Sequence, residues 1–278
     1  MKLSIYQVDA FTNRLFHGNP AAICPLEQWL PDPVMQSIAA ENNLSETAFY
    51  VQRDDHVELR WFTPAVEVDL CGHATLATAL VMDIRKEIAG ASIEFRTKSG
   101  ALVVQRDGGR YSDGLQADDR YAMDFPSRPA GACEAHPELV AALGAAPVEI
   151  LAARDYLCVY GSEADVRALQ PDMQKLATVD RFAVIATAPG TDCDFVSRFF
   201  APAKGVPEDP VTGSSHCTLI PFWAKRLGKR ALFARQISSR GGELWCEMKG
   251  DRVKIAGNGV LYMEGSIEVG SAAEASVA

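Results

Sequence analysis

A hexapeptide occurs twice in this chain, as Arg60-Trp-Phe-Thr-Pro-Ala65 and, 138 residues later, as Arg198-Phe-Phe-Ala-Pro-Ala203. The offset is almost half of the 278 residues. Each copy leads through a turn into a small-residue glycine motif, Cys71-Gly72-His73-Ala74 in the first half and Thr212-Gly213-Ser214-Ser215 in the second. Such self-similarity constrains the fold more than any local pattern, because one supersecondary plan has to be built twice. Two related halves are the economical reading; chance similarity between two aromatic strand ends followed by Pro is the alternative.

Local patterns give α+β units. Leu3 to Ala10, Ala48 to Val51, Val57 to Phe62, Ser92 to Arg96 and Ala101 to Gln105 are short runs rich in Val, Ile, Phe and Tyr, and read as strands. Asp32-Pro33 reads as an N-cap and N1 pair opening a helix through Met35, Ile38 and Ala39. Gly72 to Ile84 has almost no polar face, which predicts a helix buried within its domain, N-terminus included.

The second half repeats the plan with strands at Phe182 to Thr187, Phe195 to Phe200, Leu232 to Ser238, Leu244 to Lys249 and Val253 to Ala256. Its apolar helix is expected from about Gly213 to Leu227, with Gly228 as the C-cap. Pro221 inside that helix removes a backbone bond and predicts a kink or a late start. The run Pro126 to Gly131 best divides the halves, giving lobes 1–127 and 128–278, the second opening with a helix over His136 to Gly144. The small, polar tail from Gly270 to Ala278 reads as frayed.

Composition removes several classes of function. The net charge of −9 suits a phosphate backbone poorly, so no nucleic-acid partner is expected. Seven scattered Cys without a CxxC pair form neither a disulfide framework nor a zinc cage. MKLSIYQVDAFTNRLF meets Asp9 and Asn13 before an apolar signal region forms, and no run approaches membrane-spanning length. No membrane partner is expected and a reducing cytoplasm is the expected location. There is no GxxxxGK[ST] and no HExxH, and Gly257-Asn-Gly259 lacks the strand-to-helix setting of a dinucleotide fingerprint. The four Trp, at 29, 61, 223 and 245, read as core.

The candidate chemistry gathers at the two helix starts. Unpaired backbone N–H groups and the positive dipole end at Gly72-His73-Ala74 and Gly213-Ser214-Ser215 are able to hold a carboxylate without any Lys or Arg; the alternative is that both glycines only permit tight turns. Glu46, His73 and Asp209 are the acid/base candidates, since proton transfer at carbon needs a positioned group whose pKa burial brings toward neutrality. Taken singly, Glu46 also reads as a solvated strand-start residue, Asp209 as a turn former before Pro210, and His73 as a satisfied helix-start residue.

As a set, these segments carry more. Val8-Asp-Ala-Phe11, Gly18-Asn-Pro20, Leu44-Ser-Glu-Thr-Ala48, Arg60-Trp-Phe-Thr-Pro64, Cys71-Gly-His-Ala-Thr75 and Glu208-Asp-Pro-Val-Thr-Gly-Ser214 occur in the order and at the spacing of the PhzF family of phenazine-biosynthesis-like proteins, which this chain resembles over essentially its full length. The resemblance implies the diaminopimelate-epimerase-like fold, α+β, in which two pseudo-symmetric lobes each wrap a barrel-like sheet around a central helix and the active site lies in the cleft. It also implies cofactor-free, metal-free isomerisation of the type performed on trans-2,3-dihydro-3-hydroxyanthranilate, a small carboxylate, by a homodimer. By position, Glu46 matches the proton-shuttling acid/base, His73 and Asp209 match substrate-binding residues, and Gly72, Gly213 and Ser214 match the helix ends.

Two departures bear on function. Racemases of this fold use a thiol from each lobe; here Cys71 is present in the first, but Thr212 stands at the corresponding place in the second. That disfavours an amino-acid racemase or epimerase. Cys71 reads as a small buried hydrophobe, although a helix N-terminus would lower its pKa and keep a reactive role open, and Cys217 is not its missing partner. The second departure is Ser215-His216-Cys217, where the phenazine-pathway isomerase carries small apolar residues. His216 either lines the pocket or packs at the helix start, and in both cases it weakens transfer of the phenazine substrate. A noncatalytic metabolite-binding or interaction protein on this fold is the reading from a different class; Glu46, His73 and Asp209 together argue against it.

Overall fold

The computed structural model describes residues 1–88, 90–107 and 120–270. The chain falls into two compact units: Met1–Asp124 together with the segment from Ala256 onward, and Phe125–Ile255. The tail expected to fray lies, over 271–278, outside the described residues.

The first unit runs β1 (Lys2–Ala10), β2 (Asn19–Leu26), α1 (Asp32–Asn42), β3 (Glu46–Gln52), β4 (Val57–Phe62), β5 (Glu67–Val68), α2 (Gly72–Ile84), β6 (Ser92–Thr97), β7 (Gly100–Asp107) and β8 (Arg120–Pro126), which ends at the boundary. β1 pairs antiparallel with β2, β2 parallel with β3, β3 antiparallel with β4, β4 parallel with β6, and β6 antiparallel with β7. Gly18 makes the entry to β2 possible: its φ is +66° and a Cβ there would lie 2.2 Å from the carbonyl oxygen of Ala10.

The second unit runs β9 (Gly131–Ala132), α3 (Leu139–Leu143), β10 (Glu149–Ala152), β11 (Tyr156–Val159), α4 (Glu163–Ala168), α5 (Met173–Leu176), β12 (Val184–Pro189), β13 (Phe195–Phe200), α6 (Gly213–Leu227), β14 (Ala231–Gln236), β15 (Gly242–Lys249) and β16 (Arg252–Gly257). Its pairings repeat those of the first unit in kind and order. β10 is antiparallel to β11, β11 parallel to β12, β12 antiparallel to β13, β13 parallel to β14, and β14 antiparallel to β15.

The sequence repeat is therefore a repeat of structure, and it extends to side chains. Arg60 forks onto Glu67 with Nε and Nη2 donating at 2.7 and 2.9 Å, and Arg198 forks onto Glu208 at the same two distances. Each guanidinium also covers the aromatic ring two residues on, Phe62 at 5.2 Å and Phe200 at 4.9 Å. The hexapeptide repeats because its Arg ties the strand to the turn that leads into the central helix.

A single cut after residue 127 does not describe the chain. The last strand, β17 (Gly259–Glu268), leaves the expected C-terminal lobe and runs antiparallel along β1, from Lys2 opposite Glu268 to Ala10 opposite Gly259. The open backbone edge of β1 needs a partner of matching length, and composition does not reveal which strand supplies it.

α2 packs within the first unit against β1, β2, β3, β7 and β17, with Leu76, Ala79, Val81 and Met82 buried, as its nearly uniform apolar character requires. α1 covers another part of the same unit, its Val34, Met35 and Ile38 forming a core with Phe49, Val51 and Phe62. The α1 start differs from the expected cap: Pro31 is the N-cap, and Asp32 instead accepts a hydrogen bond from Arg60 at 2.9 Å.

α6 begins at Gly213 and carries Pro221 in its interior, so no late start occurs; Gly228 caps it at φ +65°. Pro221 has no N–H for the carbonyl of Cys217 four residues earlier, and the backbone N–H of Arg128 supplies one at 2.8 Å. The helix expected from His136 shortens to α3. Among the described residues no helix is long and apolar enough to cross a membrane.

Candidate active site

In the first unit the glycine motif places Cys71 at the N-cap of α2, with extended backbone and no side-chain capping hydrogen bond. The Thr75 hydroxyl donates to the Cys71 carbonyl at 2.6 Å, which fixes the first turn while its amide ends stay open. Glu46 is the first residue of β3, in register with Ala21 of the neighbouring β2. The Ser45 hydroxyl donates to Asn19 Oδ1 at 3.3 Å, tying the Gly18-Asn-Pro20 segment to the strand start that carries Glu46. Two of the sequence motifs thus meet around one carboxylate.

The imidazole of His73 has a neighbour at each nitrogen. Its Nδ1 lies 3.4 Å from Cys71 Sγ and its Nε2 lies 3.2 Å from Glu46 Oε2. Cys71 and His73 are 5% and 6% exposed, and the Glu46 side chain 18%. Burial of the ring disfavours its charge, but the sulfur and the carboxylate on its two nitrogens outweigh that and raise its pKa well above 6.5. The Cys71 thiol is pushed up by burial and by the negative charge of Glu46, so the lowering expected at a helix N-terminus does not prevail.

A sulfur, a ring nitrogen and a carboxylate oxygen of these residues all lie within 4.8 Å of one another, a ligand set that zinc accepts in kind. A single ion takes one ring nitrogen, whereas here thiol and carboxylate approach different nitrogens of the imidazole, at 3.4 and 3.2 Å.

In the second unit Thr212 is the N-cap of α6, as Cys71 is of α2, and again makes no side-chain capping bond. Its hydroxyl donates to Asp209 Oδ2 at 2.5 Å. Gln236, 1% exposed on β14, locks this segment: its Oε1 accepts the Thr212 N–H at 2.8 Å, and its Nε2 donates to the Asp209 carbonyl at 2.7 Å and to Thr212 Oγ1 at 3.2 Å. The sequence reading missed Gln236. The signal was its place at an inward position of the alternating strand Leu232, Ala234, Gln236.

Gly213 and Ser215 are buried and Ser214 half-buried. Ser214 Oγ accepts a 3.3 Å hydrogen bond from Arg154, whose fork onto buried Asp155 holds it there. The expectation of a helix end without Lys or Arg is thus corrected for this unit; residues so distant in sequence give no pattern to read. Ser215 Oγ and His216 Nδ1 both donate to the Thr212 carbonyl at 2.8 Å. His216 is fully buried, and burial lowers its pKa to about 4, which keeps it neutral; its Nε2 has no hydrogen-bond partner. Its ring centroid lies 5.9 Å from Phe195, so it packs at the helix start.

Comparison with known proteins agrees with this architecture. A family model described as phenazine biosynthesis-like protein matches residues 8–265. An uncharacterized isomerase of Pseudomonas aeruginosa is 51% identical over 270 residues, covering 97% of this chain and 100% of the relative. The crystal structure of a PhzF-family phenazine biosynthesis protein from Enterococcus faecalis superposes with a TM-score of 0.91 at 44% identity, covering 97% of this chain and 100% of that one. A predicted epimerase from Pseudomonas aeruginosa, 18% identical over 96% of this chain and 100% of its own, has a TM-score of 0.72 and shares the fold. The fold is the diaminopimelate-epimerase-like one.

Proposed function

This chain belongs to the phenazine biosynthesis-like family, and from that premise we propose that it is a cofactor-independent isomerase that moves a proton within a small carboxylate substrate, with Glu46 as acid/base. The observation that carries the reading is the buried contact of Glu46 with His73 beside the open start of α2. The Glu46 carboxylate removes a proton from one substrate carbon, holds it as the carboxylic acid, and returns it to another carbon on the same face. His73 holds Nε2 3.2 Å from Oε2 as an ion-pair contact and counters the carboxylate's charge while it waits as a base. The amides at Gly72 provide a dipole end for the substrate carboxylate. Asp209, Gly213 and Ser214 are assigned to substrate recognition by their match to the family motif.

The substrate class is a small cyclic or amino-acid-like carboxylate, with trans-2,3-dihydro-3-hydroxyanthranilate as the reference compound. A two-thiol racemase is less well supported. Cys71 is a raised, buried thiol, and at the equivalent N-cap Thr212 has its hydroxyl committed to Asp209.

The test is NMR detection of deuterium incorporation in heavy-water buffer with a panel of small carboxylates, comparing wild type with Glu46→Gln. Glutamine keeps the shape and cannot act as the base. Exchange or isomerisation by wild type, lost by at least a hundredfold in Glu46→Gln, is expected. Equal binding without exchange in both proteins would favour the noncatalytic reading, and exchange that survives in Glu46→Gln but not in Cys71→Ser would favour the racemase.

A further inference from the structure

We infer that Cys71 is a positioning residue for this acid/base pair: its sulfur engages Nδ1 of His73 and so fixes the imidazole with Nε2 facing Glu46. The role rests on the proton-shift reading given above, and it differs from that of a thiol base.

The geometry supplies the reason. An imidazole on a single Cβ can turn about its last torsion, and a half-turn would set a ring carbon against Glu46 in place of Nε2. A partner on Nδ1 removes that freedom. Cys71 Sγ, at 3.4 Å, is the hydrogen-bond partner that Nδ1 has. The sulfur is itself held by rigid structure, because Cys71 is the N-cap of a buried helix and its carbonyl is bonded to the Thr75 hydroxyl. Burial makes the contact matter, since a ring N–H shut away from water and unpaired would disfavour the charged imidazolium.

The second unit supports the assignment by analogy of position. At its N-cap, Thr212 turns its hydroxyl onto the carboxylate of Asp209. Each N-cap side chain therefore leaves its own helix uncapped and orients an ionisable side chain: Cys71 orients His73, and Thr212 orients Asp209.

The experiment is titration of the His73 ring by 15N and 1H NMR in wild type, Cys71→Ser and Cys71→Ala, with the signal assigned by its loss in His73→Gln. Removing the Nδ1 partner in Cys71→Ala is expected to lower the His73 midpoint by about one pH unit, the equivalent of one net hydrogen bond. Cys71→Ser, whose hydroxyl can also engage Nδ1, is expected to stay within about half a unit of wild type. Other ionisable groups on the strands around α2, among them Tyr6 and Asp9 of β1, Cys24 of β2, Tyr50 of β3, Asp107 of β7 and Glu264 of β17, are the same in all three proteins, so their influence cancels. An unchanged midpoint in Cys71→Ala overturns the role, as does a Cys71→Ser midpoint lowered by more than half a unit. If Cys71→Ala does not fold, the Cys71→Ser midpoint decides by the same threshold. No substrate is needed, so this result can fail while the Glu46→Gln exchange test succeeds, and the reverse.

Discussion

Nε2 of His73 stands 3.2 Å from Oε2 of Glu46 as an ion-pair contact; both atoms are shut off from solvent, and neither has a hydrogen-bond partner. The contact joins a helix start to a strand start, and it places a cation beside a carboxylate that faces no other basic group among the described hydrogen bonds and ion pairs. Its consequences are electrostatic, and they contrast with those of the other buried histidine.

His73 and His216 should act on stability in opposite directions as pH changes. The folded-state pKa of His73 is raised, so its contribution is complete below 6.5 and is lost as pH rises through its higher folded value. That of His216 is lowered to about 4, so stability falls as pH drops from 6.5 toward 4, by about 3 kcal/mol at most. Urea unfolding across pH 4 to 9 measures both: His73→Gln should flatten the alkaline limb, and His216→Gln the acid limb.

Gln236→Leu should damage Asp209 function more than it damages the fold. The substitution removes the amide that holds Thr212 and the Asp209 carbonyl, at a cost of about 2 to 3 kcal/mol for the buried groups left unpaired. Turnover on a substrate identified by exchange is expected to fall at least tenfold in protein that is still folded by circular dichroism. Undiminished turnover would detach Asp209 from the reaction.

The paired forks Arg60–Glu67 and Arg198–Glu208 should show similar pairwise coupling energies, although their surroundings differ: Glu67 also pairs with Lys98 and Arg60 with Asp32, while Arg198 also donates to the carbonyls of Val166 and Leu169. Arg60→Met leaves Glu67 with Lys98 and is expected to cost about 1 kcal/mol, whereas Arg198→Met takes the fork from Glu208 and the donor from two carbonyls and is expected to cost about 2 kcal/mol. Adding Glu67→Gln or Glu208→Gln to the matching Arg variant should then cost little more. Unfolding free energies in two double-mutant cycles give the comparison, and a large difference between the cycles would contradict the side-chain repeat.

Treatment with a chelator, followed by gel filtration, should leave proton exchange unchanged, because the thiol of Cys71 and the carboxylate of Glu46 approach different nitrogens of the His73 ring, of which a single ion takes one. Loss of exchange that zinc restores would replace the metal-free proton shift with a metal site.

Much of this was legible in the residues. The duplicated Arg-x-Phe-x-Pro, the two glycine motifs and the apolar runs after them determined two α+β halves, because hydrophobic periodicity and turn chemistry are local properties that sequence spacing records directly. Strands such as Val57–Phe62 and Phe195–Phe200 follow from the same local signal. Glu46 and His73 were identifiable as candidates through the order of the motifs. What only the tertiary structure decided are contacts between residues remote in sequence: β17 on the edge of β1, Arg128 on the carbonyl that Pro221 leaves open, Gln236 behind Asp209. The same holds for Cys71, which composition reads as a small apolar residue. Burial and the field of Glu46 set the state of its thiol, and both depend on which groups the fold brings within a few ångströms of it.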